Sequence, residues 1–463
     1  MFCRLFGSRV ARQLWATSNQ RCYSSIRKSI QEYDVLLLHQ NAQSGGKFTV
    51  TPPLRPNETL TLAYGGQVST NLLLQRHILD AVTDSRGNVV DIYEPSLPAY
   101  IHNAPHRLAT PIYAQDASLI TALLDVHPDN SPDAAPYEIF EAGTGIGGLT
   151  LHLARAVHGA NPPLPTPLRD ALVRGAYSTG QPRDNAKEAL VEDHHVKVFD
   201  DAAVQALHDE WLAQRRAVVH TLDLKHSHSR YAHKLIRNFR RAQYLMDVSF
   251  HVATIESYLG GRLVASEGRP FLDCAFLDLP EPEAQVDTVM KALKPDGTLL
   301  VFSPSVTQIA RVIRWAKSLK PAQLRLEKTL ELPLATNNDA TLRVGTGGKE
   351  WDVRYVRTKK AAKAGEKDED DEVLVCRPMV YQRTVGGGFV GVFRRLLGTQ
   401  GRVVYEGSLN PTKRNPRYSQ AEGAAVSSGD TAVSTVSTGD AVESTEDTTK
   451  PAQDAATPSE QTS

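Results

Sequence analysis

The sequence predicts a doubly wound α/β fold with a mostly parallel sheet, preceded by a small β-rich domain. Three observations carry that expectation. Short apolar runs alternate with helix-like stretches from residue 137 to residue 319, the pattern of a sheet covered on both faces. Residues 137–155, YEIFEAGTGIGGLTLHLAR, read as strand, glycine loop and helix in immediate succession. Two later apolar runs end in acids, Asp223 and Asp278, where parallel strands present their carboxyl ends to ligands.

Taken in order, residues 1–31 contain Arg4, Arg9, Arg12, Arg21, Arg27 and Lys28 and no acid, while Phe2, Leu5, Phe6 and Val10 share one helical face. That combination matches a transit peptide and predicts a mitochondrial protein, with the nucleus as the alternative address and a plain basic tail as the bland reading. Residues 32–105 read as a small β-rich domain. Within it, 33–38 and 47–51 have strand composition, a helix fits 71–81, and Arg86-Gly87 turns the chain into a strand at 88–93. Pro95, Pro98, Pro105 and Pro111 predict an irregular connection, and 116–126 has helical spacing.

The principal domain spans 106–400. An insertion at about 160–212 is proline-rich and loop-like before a helix at 201–216, and a charged excursion occupies about 359–373. Strands are expected at 217–223, 248–252, 272–277, 297–302, 351–357 and 388–394, and helices at 229–241, 284–293 and 307–319. Residues 401–463 are rich in Ser, Thr and acids and cannot bury enough apolar surface to fold.

Lys+Arg and Asp+Glu both number 52, so net charge gives no sign of a nucleic-acid partner, and any basic face must be local. The helix at 229–241 is such a face, with Arg230, His233, Lys234, Arg237, Arg240 and Arg241; it can meet phosphate or simply face solvent. Cys3, Cys22, Cys274 and Cys376 form no metal-ligand spacing, and no apolar run is long enough to span a membrane. Neither metal nor membrane is therefore expected.

The glycine loop suits a nucleotide-like cofactor. Gly143, Gly145 and Gly147 let the backbone turn tightly and come close to a ligand. Gly143, Gly145 and Gly148 equally satisfy G-x-G-x-x-G, the dinucleotide fingerprint. Glu141, two residues before the first glycine, favours S-adenosyl-L-methionine (SAM), whose amino-acid end is cationic. Asp223 can accept ribose hydroxyls in either kind of cofactor, or merely cap the following helix. Asp278, stiffened by Pro280 and Pro282, can accept from the exocyclic amine of an adenine and push electron density toward N1; capping is again the plain alternative.

Several further stretches carry a resemblance. They are Glu141-Ala-Gly-Thr-Gly145, Pro95-Ser-Leu-Pro-Ala-Tyr100 followed by Arg107 and Ile112-Tyr-Ala-Gln-Asp116, Phe276-Leu-Asp-Leu-Pro280, Ser303-Pro-Ser-Val-Thr-Gln308 and Trp351-Asp-Val-Arg354. Together, over about 85–400, the chain resembles the tRNA (adenine-58-N1)-methyltransferase family, catalytic subunit type, in a fungal mitochondrial form. The resemblance implies a class I SAM-dependent methyltransferase, Rossmann-like, with a mostly parallel seven-stranded sheet and the small N-terminal β-domain. It implies methylation of N1 of adenine 58 in the T-loop of tRNA by a tetramer, either a homotetramer or a heterotetramer with a non-catalytic paralogue.

Carried over by position, Glu141, Gly143, Thr144, Gly145, Ile146, Gly147, Gly148, Asp223, His228, Ala253 and Thr254 would hold the cofactor. Asp278 would serve both cofactor and target base, and Tyr113 and Gln308 would line the catalytic site. The family usually has Ser where Ile146 and Gly148 stand, and Gly-Asp where Ala253-Thr254 stand; Glu256 is a carboxylate that could substitute for the missing Asp. Those departures motivate a second reading, a non-catalytic RNA-binding subunit. The alternative glycine spacing motivates a third, an NAD-dependent oxidoreductase.

Overall fold

The computed structural model describes residues 28–40, 47–63, 65–103, 112–129, 131, 133–176, 178–179, 192–193, 197–332, 334–337, 351–357, 372–378 and 383–397. Nearly all of the basic leader, the acidic run of the charged excursion and the Ser/Thr-rich tail lie outside the described residues.

Seven strands of one sheet are numbered in chain order: β1 (Tyr137–Ala142), β2 (Ala217–Asp223), β3 (Val248–Val252), β4 (Leu272–Asp278), β5 (Leu293–Ser303), β6 (Leu324–Glu331) and β7 (Phe389–Arg395). Their spatial order is β6-β7-β5-β4-β1-β2-β3, with the short strand Glu192–Asp193 added outside β3. β1 through β5 run parallel, and β7 is antiparallel to both β5 and β6. This is the class I SAM-dependent methyltransferase sheet. The order reverses between β1 and β4, so the crevice for a ligand opens beyond the carboxyl ends of those two strands.

Five helices follow strands of this sheet: α1 (Gly148–Val157), α2 (His226–Asn238), α3 (Ile255–Ala265), α4 (Val286–Ala292) and α5 (Val306–Ser318). Alternation along the strands divides the core in two. Ile139, Val219 and Phe250 pack with α1, α2 and the helix Ala114–Leu124. Phe140, Ala142, Leu222 and Ala275 pack on the other face with α3, α4 and α5. Burying both faces makes the central strands almost continuously apolar, which is why they are visible in the sequence.

The N-terminal region is an antiparallel four-stranded sheet, Lys47–Val50, Leu37–Gln40, Val89–Tyr93 and Ala81–Thr83 in spatial order, with a hairpin of Thr59–Thr61 and Gln67–Ser69. It has its own apolar cluster, including Leu36, Leu38, Leu54, Leu73 and Ile92.

Four local expectations are corrected. The helix expected at 71–81 is only Thr70–Leu74, because residues 81–83 pair with β-strand Val89–Tyr93. Residues 94–96 and 162–165 are irregular as expected, but Pro98 and Pro167 are not: helices Leu97–His102 and Thr166–Arg174 each carry one in the first turn, where the missing N–H costs no hydrogen bond. Residues 351–357 do not join the main sheet; Trp351–Arg357 pairs with Glu372–Pro378 as a separate ribbon. The place beside β7 is taken by β6, which was not expected.

Candidate active site

The parallel register sets the ends of β2, β1, β4 and β5 level. Leu222 pairs with Ala142, Ala142 with Leu277, and Asp278 with Phe302. The next residue after β1 is therefore Gly143, directly beside Asp278. A Cβ on Gly143 would lie 2.4 Å from the Asp278 carbonyl oxygen, so only glycine fits. Gly143, Gly145 and Gly147 have φ of +99°, +52° and +83°. Gly147 also abuts α2, where a Cβ would lie 2.7 Å from that of Ala232. Gly148 has no such φ, and its nearest neighbour would be the Ile112 carbonyl at 3.4 Å. The turn thus depends on the 143/145/147 spacing and not on the third glycine of G-x-G-x-x-G.

The loop is tied down beneath. The Gly143 and Thr144 amides donate to the Leu222 carbonyl at 2.9 and 3.3 Å. The Thr144 hydroxyl meets that of Thr221 at 2.7 Å. Ile146 is buried among core side chains, so its backbone faces the loop while its side chain does not.

Three carboxyl groups converge above the strand ends. Glu141 is fully buried and accepts from the Thr150 hydroxyl at 2.6 Å. Burial, together with the nearby Asp278 and Asp223, pushes its pKa up to about 7, although the Thr150 and Thr221 hydroxyls oppose the rise. Burial and the charge of Asp223 push Asp278 to about 6. Asp223 Oδ2 accepts from the Gly145 amide at 3.2 Å and lies 3.0 Å from His228 Nδ1; Oδ1 accepts from the Lys225 amide at 2.9 Å. Among the described residues, no Lys or Arg side chain pairs with any of the three.

The remaining expected residues fall into two groups. Gln308, in the first turn of α5, takes a hydrogen bond from Ser303 at the end of β5, level with Asp278. Tyr113 caps the helix Ala114–Leu124 just after Ile112, whose carbonyl meets Gly148. Its side chain makes no capping hydrogen bond. Ala253 is buried, its amide donating to the Asp223 carbonyl at 3.2 Å. Thr254 is the N-cap of α3, accepting from the Ser257 amide at 3.0 Å, and Glu256 is exposed in the first turn of α3. Arg107 lies outside the described residues.

Sequence reasoning passed over Thr150 and Thr221, and read Ser303 only as part of a motif; all three hold the site's residues in place. Thr221 was findable: it stands two before Asp223 and so shares its face of the strand. It passed over the character of Asp116 as well. That residue is buried, with Oδ1 unpartnered, and burial pushes it to about 6.

The arrangement can hold a cationic, nucleoside-like molecule: close backbone at glycines, acids for ribose and amine groups, and, among the described residues, no Lys or Arg paired with those acids. Among the described residues, no group of three or more His, Cys, Asp or Glu is placed to hold a metal ion.

Comparison with known proteins finds two relatives, each called tRNA (adenine(58)-N(1))-methyltransferase TrmI, from two strains of Thermus thermophilus. Each is 27% identical over 289 residues, 62% of this chain and 78% of theirs. Among solved structures, a SAM-dependent O-methyltransferase from Thermotoga maritima overlaps with a TM-score of 0.46 at 16% identity, covering 80% of this chain and 95% of its own. The tRNA (m1A58) methyltransferase TrmI from Aquifex aeolicus overlaps with a TM-score of 0.41 at 13% identity, covering 80% of this chain and all of its own. No family model matches the chain.

Proposed function

We propose that this chain is a SAM-dependent methyltransferase acting on N1 of an adenine in tRNA, at position 58 of the T-loop. The observation that carries the reading is the trio Glu141, Asp223 and Asp278: three acids gathered at the switch point with, among the described residues, no Lys or Arg paired to them and only the His228 imidazole beside Asp223. Such a cluster suits a positively charged cofactor and repels the pyrophosphate of a dinucleotide, which disfavours the oxidoreductase alternative. The sequence similarity to the Thermus thermophilus proteins supports the choice of tRNA.

Gly143, Thr144, Gly145 and Gly147 would take the cofactor against their backbone, and Asp223 its ribose. When bound, SAM supplies an electrophilic methyl on a sulfonium. Asp278, ionised, would accept from the exocyclic amine of adenine and turn N1 toward that methyl. Alignment and the fixed carboxylate do most of the work, because the ring nitrogen is already a nucleophile. Gln308, whose oxygen takes the Ser303 hydrogen bond, keeps its amide nitrogen as a donor for the base. The target adenine must first be unstacked and unpaired, at a cost of a few kcal/mol.

Incubation with labelled SAM and unmodified tRNA tests the reading: label at N1 of adenine 58 is expected, and its absence alongside intact SAM binding defeats it. One observation favours the non-catalytic subunit as a second reading, namely that Thr254 serves α3 as its cap and no acid takes that place. Tetramer assembly and mitochondrial targeting belong to the same proposal, to be read by analytical ultracentrifugation and by imaging of the tagged chain.

A further inference from the structure

We propose that a cleft between the N-terminal β-region and α2 receives an unpaired nucleobase of the RNA, away from the methylation target, with the adjoining phosphate on Lys234. The proposal rests on the RNA reading above. The cleft has a volume of about 240 Å³, and its walls include Val35, Val50, Pro52, Tyr231, Lys234 and Asn238.

Its shape is built into the fold. The Tyr100 hydroxyl, itself part of the lining, donates to the Leu235 carbonyl at 2.8 Å and ties α2 to the helix Leu97–His102. Tyr231 is half-buried and lines the cleft together with Val35, Val50, Pro52 and Pro53. Asn103 and Asn238 line the same space. Asn103 Nδ2 is committed to the Ala99 carbonyl at 2.7 Å, which leaves its oxygen to accept from a base edge. Lys234 is exposed and has no acidic partner among the described residues.

Charge selects the occupant. The chain as a whole is neutral, yet α2 carries His226, His228, Arg230, His233, Lys234 and Arg237 and not one acid. An aromatic face, two amides and a free cation at the rim are the parts that single-stranded RNA recognition uses: a stack, edge hydrogen bonds and a phosphate contact. An apolar peptide would leave the amides and Lys234 unmatched. The same helix places His228 on Asp223. From His228 to Asn238 it rises about 15 Å, so one strand of RNA can engage both the methylation site and the cleft.

The test uses the full chain with Tyr231→Ala, Tyr231→Phe and Lys234→Gln. It reads tRNA affinity by fluorescence anisotropy across salt concentrations, SAM affinity by calorimetry, and the site of cross-linking by mass spectrometry of a 4-thiouridine-substituted tRNA. Tyr231→Ala should weaken tRNA binding about tenfold while Tyr231→Phe, which keeps the ring, stays near wild type. Lys234→Gln should lower the slope of log affinity against log salt by about one. SAM affinity should not change, and cross-links should fall on the residues that line the cleft, at 231–238 or on the facing wall at 35, 50–53, 100 and 103. Equal tRNA affinity in all variants, cross-links confined elsewhere, or a variant effect on a protein partner instead of tRNA would overturn the proposal while leaving the methyltransferase reading intact. A wild-type chain that binds no tRNA would overturn both.

Discussion

Glu138 and Glu141 stand on the same strand, β1, on opposite faces of the sheet and toward opposite ends. Glu138 is enclosed by one cation, Arg262, and by the His220 imidazole, which burial pushes down to about 3 and keeps neutral. Arg262 donates to both its oxygens, at 2.7 and 3.1 Å, and His220 Nε2 lies 3.0 Å away. Burial alone would raise its pKa, but the hydrogen bonds and charges of His220 and Arg262 more than offset that and hold it near 2. Glu141 has hydroxyls and other acids for neighbours and is pushed to about 7. One glutamate is satisfied from within and serves the fold. The other is left short of a counter-charge at the place where a ligand can supply one.

The largest expected effect is at the open end. Asp278→Ala should lower the rate of methyl transfer on the order of 10²–10³-fold, read by tritium incorporation into tRNA, because it removes a preorganised acceptor. In the wild type, kcat/KM should climb with pH through about 6 as Asp278 ionises, and Asp278→Asn should lose that limb.

At the closed end, Glu138→Ala should leave turnover per folded molecule alone and cost about 3 kcal/mol of stability in urea denaturation, since Arg262 and His220 lose their partner. The wild-type contribution of this carboxylate should be present above about pH 4.5 and lost as pH falls toward about 2.

Glu141→Gln should do the reverse. A carboxyl with a raised folded pKa stabilises fully only below its unfolded value, 4.5, and that contribution is lost as pH rises through about 7. The variant should therefore gain about 1–3 kcal/mol over wild type at pH 8 and nothing at pH 4.5, while its SAM affinity falls about tenfold. If Glu138→Ala and Glu141→Gln shift stability in the same direction, the contrast between the two ends is wrong.

The smallest effect sharpens the picture at the rim. Thr254→Ala should cost about 1 kcal/mol through loss of the α3 cap, with SAM affinity unchanged; a large loss of affinity would mean the hydroxyl serves the cofactor instead.

The central strands and the acids at their ends were legible because burial on both faces writes a long apolar run and the chain then turns at glycine or acid, as at Ala142-Gly143 and Leu277-Asp278. β6 was not legible for the converse reason. It lies at the edge of the sheet, and its sequence LRLEKTLE is mostly exposed or half-exposed, so little apolar signal survives. Prolines misled twice, at Pro98 and Pro167, because a proline that breaks a helix interior is welcome in its first turn. At the site, residue types were readable and their partners were not. Thr150 reaches Glu141 from α1, and Ser303 reaches Gln308 across the loop after β5, pairings that only the folded register creates.

Ile146 links the glycine turn to everything below it. Its side chain is anchored in the main apolar cluster with Leu149, Leu151 and Leu235. The turn is therefore pegged from underneath like canvas, and its tension is set by the fit of aliphatic groups that no ligand ever meets. Loosening that fit anywhere nearby should slacken the grip on the nucleoside well before the chain melts, so warmth should erode binding first and structure second.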